Sequence, residues 1–401
     1  MFDVIVAGAG PAGNIAASRL STMGYKVVVL DWRSRVGDKL CTGIVGRECV
    51  ELYPPDQGDI HHEAQSATVV APSGTRHRIA RESTQAYVLD REAYVASLVD
   101  RARGAGAHYR LGETVEAIQH SPSGVALRAS SSAGSRQYRA RVVVIASGFS
   151  SPLLRMVGLD GGQAEYMIGS QAEVTATGLE GTEVYLGDSI APGSFGWLVP
   201  LSGSRALAGI VSRRKLNGHM SSFISALRQE GKVQSVTSEP RRWGIPIRPL
   251  RRTFADGVLV AGDAAGFVKP TTGGGIYYAL LSGEVAADTV HAAFLADDFS
   301  AGELKRYEAG WKSIFGKELR IGYYARRVFE ALGDRNVERL FDELISAGIM
   351  EEFLVSDDLS FDWHSSVILK AIANREFSKI IRSFGPAVAP FLPALGRSRS
   401  D

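Results

Sequence analysis

The sequence predicts an α/β fold: a parallel sheet assembled from separate stretches of chain, an inserted antiparallel sheet and a helical C-terminal region. Three observations carry that expectation. A short β-branched run at 2–7 is followed by a glycine-rich turn, a helical stretch and a second apolar run at 25–31. That is the strand–turn–helix–strand order of a parallel βαβ unit. Two runs of the same buried style return much later, RVVVIA at 141–146 and GVLVA at 257–261. Between them, 165–249 alternates apolar and polar residues with frequent turn signals, the mark of half-buried antiparallel strands.

The remaining elements follow in order. Residues 67–80 and 84–89 read as short strands around an Ala-Pro-Ser-Gly turn, and 90–104 as a helix. Residues 114–128 and 137–145 suggest a small meander with a Ser/Gly turn at 129–135. One helical window, 220–230, interrupts the alternating region. A long Ala-rich helix is expected at 275–295, and from 301 the pattern is helical until Pro386, Pro390 and Pro393 close it.

Composition narrows the class. A length of 401 residues suits two or three domains. Hydrophobic residues at 45% and charged residues at 22% are ordinary for a globular chain and exclude disorder. The formal charge is only +2, so no whole-chain case exists for a nucleic acid partner. The two cysteines, Cys41 and Cys49, fit neither a redox pair nor a zinc half-site, and His61-His62 has no ligand partner at metal spacing. No metal is expected, and a reducing cytoplasm is the expected compartment. Neither a secretory leader nor an apolar stretch long enough to cross a bilayer is read in the sequence.

Gly8-x-Gly10-x-x-Gly13 lies between the first strand and helix, with Pro11 and Ala12 inside it. Gly8 permits the tight turn, Gly10 the close approach of a pyrophosphate, and Gly13 the packing of helix on sheet. The helix N-terminus then offers free N–H groups to phosphate. Asp31 ends the next strand, where a carboxylate accepts hydrogen bonds from a ribose diol. The motif alone does not separate FAD from NAD.

The far end of the chain does. GVLVAGDAAGFVKPTTGGGI at 257–276 resembles the second signature of the glutathione-reductase-like FAD fold, in its hydroxylase and geranylgeranyl-reductase branch. The resemblance implies that Asp263 meets the ribityl chain and phosphates, and that Gly274, Gly275 and Ile276 start a helix aimed at the flavin. It also carries Arg33 and Arg91 (in Asp90-Arg91-Glu92-Ala93-Tyr94) to the cofactor, and the Val115 backbone to the adenine. Ala146-Ser147-Gly148-Phe149-Ser150-Ser151 resembles the Gly-Ala-Asp-Gly-x-Ser-Ser element, which places Gly148 at the cofactor but puts Ser147 where the acid stands. The fold class implied is a discontinuous Rossmann-like FAD-binding domain of 1–66, 84–164 and 250–300. A substrate-binding antiparallel sheet domain would comprise 67–83 and 165–249, and a helical region 301–401.

The resemblance narrows to the geranylgeranyl reductase family at two places. Lys39-Leu40-Cys41-Thr42-Gly43 is similar to the family's Lys-x-Cys-Gly-Gly element, which faces the flavin, so Cys41, Thr42 and Gly43 are cofactor candidates. Pro192 to Pro200 is similar to the Pro-x-x-Tyr-x-Trp-x-Phe-Pro element, which makes Phe195, Trp197 and Pro200 the candidates for an apolar substrate wall. The implied reaction is hydrogenation of C=C bonds in an isoprenoid lipid, quinone or diphosphate. With one phosphate motif only, NAD(P)H or reduced ferredoxin would serve as a transient electron donor. Cys41, a water and the flavin itself are the candidates for the proton source, and Cys41 also reads as a packing residue. An FAD monooxygenase with an apolar substrate shares the fold and is the alternative; a flavin-bound carrier without turnover is a third.

Two basic stretches suggest the periphery of a membrane. In 367–384, Ile368, Ile372, Ile380 and Phe384 recur near helical spacing beside Lys370, Arg375, Lys379 and Arg382. In 304–327, Tyr307, Trp311, Ile314 and Phe315 mix with Lys312, Lys317, Arg326 and Arg327. Packing on the core and docking on an anionic inner membrane face are the two readings.

Overall fold

Six strands form the central sheet, in the order Phe254–Ala255, Val258–Val260, Val142–Ile145, Val4–Ala7, Val27–Asp31, His108–Leu111. All neighbours are parallel except the first pair. The three distant apolar runs therefore share one sheet, as their common style predicts. Their strands are buried along their whole length, and a parallel sheet covered on both faces requires such continuous runs. This computed structural model describes residues 1–121, 124–159, 165–349, 360–385 and 388–391.

The chain divides into two compact units. The first comprises Met1–Lys39, Arg91–Glu165 and Pro246–Leu319; the second comprises Leu40–Asp90, Tyr166–Ile245 and Arg320–Asp401. This departs from the expected division in two ways. Residues 40–66 and 84–90 fall in the second unit, where Ile44–Gly46, Ala86–Leu89 and Ile60–Ala64 make a small sheet of their own. The C-terminal region splits after Leu319 rather than standing apart.

Within the first unit, the expected meander forms from Thr114–Ser121, Gly124–Ser131 and Gly134–Ala140. Its middle strand runs into the expected turn at 129–135, which shortens the turn to a tight one before Gly134. The helix Ile276–Ala296 follows the last core strand. Trp311 and Phe315 are buried and pack around Phe267 and Tyr278, and buried Tyr307 donates to the Val260 carbonyl at 2.9 Å. Those aromatics are core, and only Ile314 of that apolar set is exposed.

The second unit is built on one large sheet. Its order is Val233–Val236, Tyr166–Ala176, Arg205–Ser212, Phe195–Pro200, Thr182–Leu186, Ser66–Val70, Arg76–Ala80, with Arg241–Pro246 pairing to Tyr166–Ala176. Along that order of seven strands the pairs are antiparallel except where Thr182–Leu186 runs parallel to Ser66–Val70. Strand alternation splits its residues between two faces. Ala172, Val174, Leu198, Ala206, Ala208 and Ile210 share a cluster with Met220, Phe223 and Leu227 of the helix His219–Gln229.

The stretch 367–384 is two helices, Ser365–Ala373 and Arg375–Ser383. Asn374 breaks it by accepting hydrogen bonds from the Glu376 and Phe377 N–H groups at 3.0 and 3.1 Å, as an N-cap does. Ile368, Ile372, Ile380 and Phe384 pack with Leu186, Ile321 and Val328. The apolar face expected to meet a membrane is thus spent inside this unit. Among the described residues no helix is long and apolar enough to cross a bilayer. Pro386 and Pro393 lie outside the described residues.

One buried carboxylate ties the chain's end to its beginning. Asp362 is 1% exposed and accepts from the Gly46 and Cys49 N–H groups at 3.0 and 3.2 Å. It supplies the cap that the helix Arg47–Leu52 lacks in its own sequence. A neighbouring bond from the Trp363 indole to Glu48, at 2.6 Å, fastens the same place. Asp362→Ala is expected to lower unfolding stability by about 2–4 kcal/mol, measured by urea titration; an unchanged midpoint would remove the carboxylate from this role.

Candidate active site

The first unit presents the glycine turn of the sequence motif. Gly8 has φ +118°, and a Cβ there would overlap the Ala146 carbonyl oxygen. A Cβ on Gly13 would overlap the Gly8 carbonyl oxygen, whereas around Gly10 the space is open. The turn at Gly8 and the close packing at Gly13 have the geometry of the motif, and Gly10 leaves open space beside the backbone. Gly10 stands at the N-cap of Pro11–Thr22 with Pro11 first in the helix. The N–H groups of Ala12 and Gly13 lie in the first turn, where no helical acceptor exists.

Asp31 closes the second strand and is 8% exposed. Its Oδ2 accepts from the Ala9 N–H and its Oδ1 from the Arg33 N–H, each at 2.8 Å. The Arg33 guanidinium lies 3.7 Å away and stacks over Trp32. An ionised carboxylate has about four acceptor sites, so Asp31 can brace the loop and still receive a ribose diol. Two further braces were not foreseen. Asn14 is fully buried; it donates to the Ala9 carbonyl at 3.1 Å and accepts from the Tyr109 hydroxyl at 2.8 Å. Burial pushes the Tyr109 phenol well above its ordinary range, so it stays a donor. The only signal was a polar residue on the packed side of an apolar helix.

The far signature converges on a second place in this unit. Asp263 stands in the short turn Gly262–Ala265 after Val258–Val260. Its carboxylate forms an ion pair with the Lys39 ammonium, and a Cβ on Gly275 would come within 2.9 Å of its Oδ1. Gly275 caps Ile276–Ala296, and the Lys269 N–H donates to the Gly274 carbonyl at 2.9 Å. Asp263, Gly274, Gly275 and Ile276 therefore cluster at one helix N-terminus. Arg91 Nη1 donates to the Gly37 carbonyl and, at 3.0 Å, to the Lys39 carbonyl; it holds the loop that carries Lys39. Ser147, at the position where the acid is expected, donates to Ser151 Oγ at 2.6 Å, and Gly148 beside it has φ +82°. Val115 lies in the edge strand of the meander, paired to Ala129.

The second unit holds the other candidates. Cys41 and Thr42 are half-buried, and Gly43 is buried against the Leu89 carbonyl. The Gly43 N–H donates to Cys41 Sγ at 3.4 Å. Trp197 is 6% exposed and half-buried Phe195 stands 6.1 Å from it, ring to ring. Trp243 meets Trp197 edge-on at 6.3 Å. Gln171 joins this aromatic face to the cysteine: it accepts from the Trp197 indole and donates to the Cys41 carbonyl, each at 3.3 Å. Pro200 does not belong to that face. It pairs with Ala206 and, with Leu198, points to the side covered by His219–Gln229, because side chains alternate along the strand.

A family profile described as FAD binding domain matches residues 1–282. Digeranylgeranylglycerophospholipid reductase 2 of Methanopyrus kandleri is 31% identical over 367 residues, 86% of this chain and 90% of that protein. The chain belongs to the geranylgeranyl reductase family of FAD-dependent oxidoreductases. The crystal structure of a geranylgeranyl bacteriochlorophyll reductase-like protein from Thermoplasma acidophilum superposes with a TM-score of 0.84 at 25% identity, covering 96% of this chain and 99% of that one. A flavin-dependent brominase, at 17% identity and a TM-score of 0.67 over 96% of this chain and 98% of its own, shares the fold alone.

The residues present fit the family's cofactor. The open space at Gly10 admits a diphosphate, the remaining acceptors of Asp31 suit a ribose, and the glycines at 274–275 leave a helix N-terminus bare. The Lys39–Asp263 pair offsets a carboxylate that would otherwise stand alone, only 13% exposed, near an anionic ligand. Lys39→Met is expected to weaken FAD binding about tenfold, and Lys39→Met with Asp263→Asn to recover part of it, read by flavin fluorescence on titrating the apoprotein. Equal affinity for wild type and Lys39→Met would show that the pair does not serve the cofactor.

Proposed function

We propose that this chain saturates carbon–carbon double bonds in the isoprenoid chains of a glycerophospholipid or a closely similar prenyl lipid. The observation that carries the reading is the match to digeranylgeranylglycerophospholipid reductases across most of both chains. The aromatic, largely apolar face of Phe195, Trp197 and Trp243 supports it, since a hydrocarbon chain is recognised by apolar burial.

Reduced FAD supplies two electrons as a hydride. The alkene has no carbonyl to polarise it, so the second hydrogen must arrive as a proton from a group held at the other carbon. The Asp31 carboxylate and the first turn of Pro11–Thr22 would hold the nucleotide part of the cofactor; Asp263, Gly274, Gly275 and Ile276 would hold the flavin part, with Lys39 balancing the charge. Arg33, Arg91, Val115 and Gly148 complete the cofactor contacts of this reading, and Thr42 and Gly43 hold the Cys41 loop. Cys41 delivers or directs the proton. Its thiol is half-buried and held by the Gly43 N–H. NAD(P)H or reduced ferredoxin would replenish the electrons in passing, and the protein would work in the cytoplasm or at the inner face of the membrane.

Under anaerobic conditions with chemically reduced flavin, a digeranylgeranyl glycerophospholipid is expected to gain two hydrogens for each bond reduced, read by mass spectrometry. A hydroxylase would give no product without oxygen. Cys41→Ala is expected to keep its FAD and lose at least about 100-fold in turnover; full turnover in that variant would place the proton source elsewhere.

A further inference from the structure

We infer that Gln171 is a positioning residue that holds the Cys41 loop to the indole of Trp197, and so fixes where the thiol stands relative to the aromatic face. The inference rests on the reading of that face as the substrate wall. Gln171 lies in mid-strand in Tyr166–Ala176 and is 3% exposed. Its two bonds use both ends of the amide. The indole N–H can only donate and the Cys41 carbonyl can only accept, so the partners themselves dictate which end of the amide faces which.

The register explains how these residues meet. Gln171 and Trp197 both lie opposite Gly209, one strand to either side of it. Strands two apart are roughly 10 Å from each other, and an intervening side chain would separate the pair. Gly209 has none, and a Cβ there would overlap the Trp197 ring. The indole therefore lies across the glycine and reaches the amide. Trp243 braces it from the far side and itself lies within 2.8 Å of where a Gly169 Cβ would stand.

A leucine at 171 would complete an apolar face at no desolvation cost. A buried amide is tolerated only when its polar ends are paired, and here the pairing reaches the loop that carries the Lys-x-Cys element. That loop is anchored on one side by the small sheet, where the Leu89 N–H donates to the Gly43 carbonyl at 3.0 Å. On the other side Arg91 holds the Lys39 carbonyl, and at Cys41 itself Gln171 provides the anchor. Without it the thiol would move between those two supports.

The test uses FAD-loaded enzyme and needs no substrate. Iodoacetamide labelling of Cys41 is followed by intact mass, with buried Cys49 as the silent internal control. Gln171→Leu is expected to label about five- to tenfold faster than wild type, and to raise KM for the prenyl lipid more than it lowers kcat. Trp197→Phe keeps an aromatic ring, although a smaller one, removes the N–H and is expected to speed labelling as well. Its effect should not add to that of Gln171→Leu. Gln171→Met replaces the leucine variant if that one fails to fold, and Trp197→Phe tests the bridge from the opposite end. An unchanged labelling rate in folded variants overturns the inference while leaving prenyl reduction intact. Faster labelling in an enzyme that reduces no prenyl lipid would uphold the bridge and end the substrate reading.

Discussion

The contact between Gly13 and the Gly8 carbonyl is the constraint on which the cofactor half of the molecule depends. It brings the first helix onto the first strand so closely that a single methyl group would force them apart. From that approach the rest follows. The helix starts directly beyond the end of a central strand, its first N–H groups have no helical acceptor, and the Ala9 N–H falls 2.8 Å from Asp31. Asn14 and Tyr109 then fill the space behind the turn with a two-bond relay, which keeps the loop in one conformation.

In the second unit the equivalent constraint is the absence of a side chain at Gly209. The large sheet has one face covered by the helix His219–Gln229, and on the other Phe195 packs against the cluster of C-terminal helices beside Trp197. On that other face a row of ordinary residues would keep Trp197 and Gln171 apart. A glycine between them converts two separate strands into one hydrogen-bonded row that ends at Cys41. The same period of two that places Trp197 in the row places Pro200 on the opposite side. Proximity in a motif is therefore a poor guide to a shared surface in a strand.

What could be read from the sequence was whatever local spacing determines. The glycine turn, Asp31 and the apolar runs of the parallel sheet each lie within a single short window, and the common style of those runs pointed to one shared sheet but not to the order of its strands. The second signature was legible as a pattern, although its pairing with Lys39 was not, since the two residues are 224 positions apart. Gln171 gave no signal at all, because one polar residue in an alternating strand looks like any solvent-facing position. Its partners lie 26 and 130 positions away. Asp362 is similar, reaching back 316 positions to Gly46. The break at Asn374 was visible in principle, since Asn followed by an acidic first turn is a helix start. It was overlooked because the apolar spacing continued across it.

These long-range polar bonds share a logic with the chemistry. A hydrocarbon substrate offers no donor or acceptor, so every polar group near it must be satisfied by the protein itself. Gln171 meets that demand by pairing with an indole and a carbonyl, and in doing so it supports an apolar surface from behind. Such a surface discriminates weakly, since one methylene more or less is worth only about 1–3 kcal/mol in a hydrophobic pocket. Uniform repeats of five carbons give the wall little to distinguish along the chain. If the aromatic face is the substrate wall, as proposed, selection among prenyl lipids must come from where that wall ends and polar contacts begin, rather than from the residues that line its length.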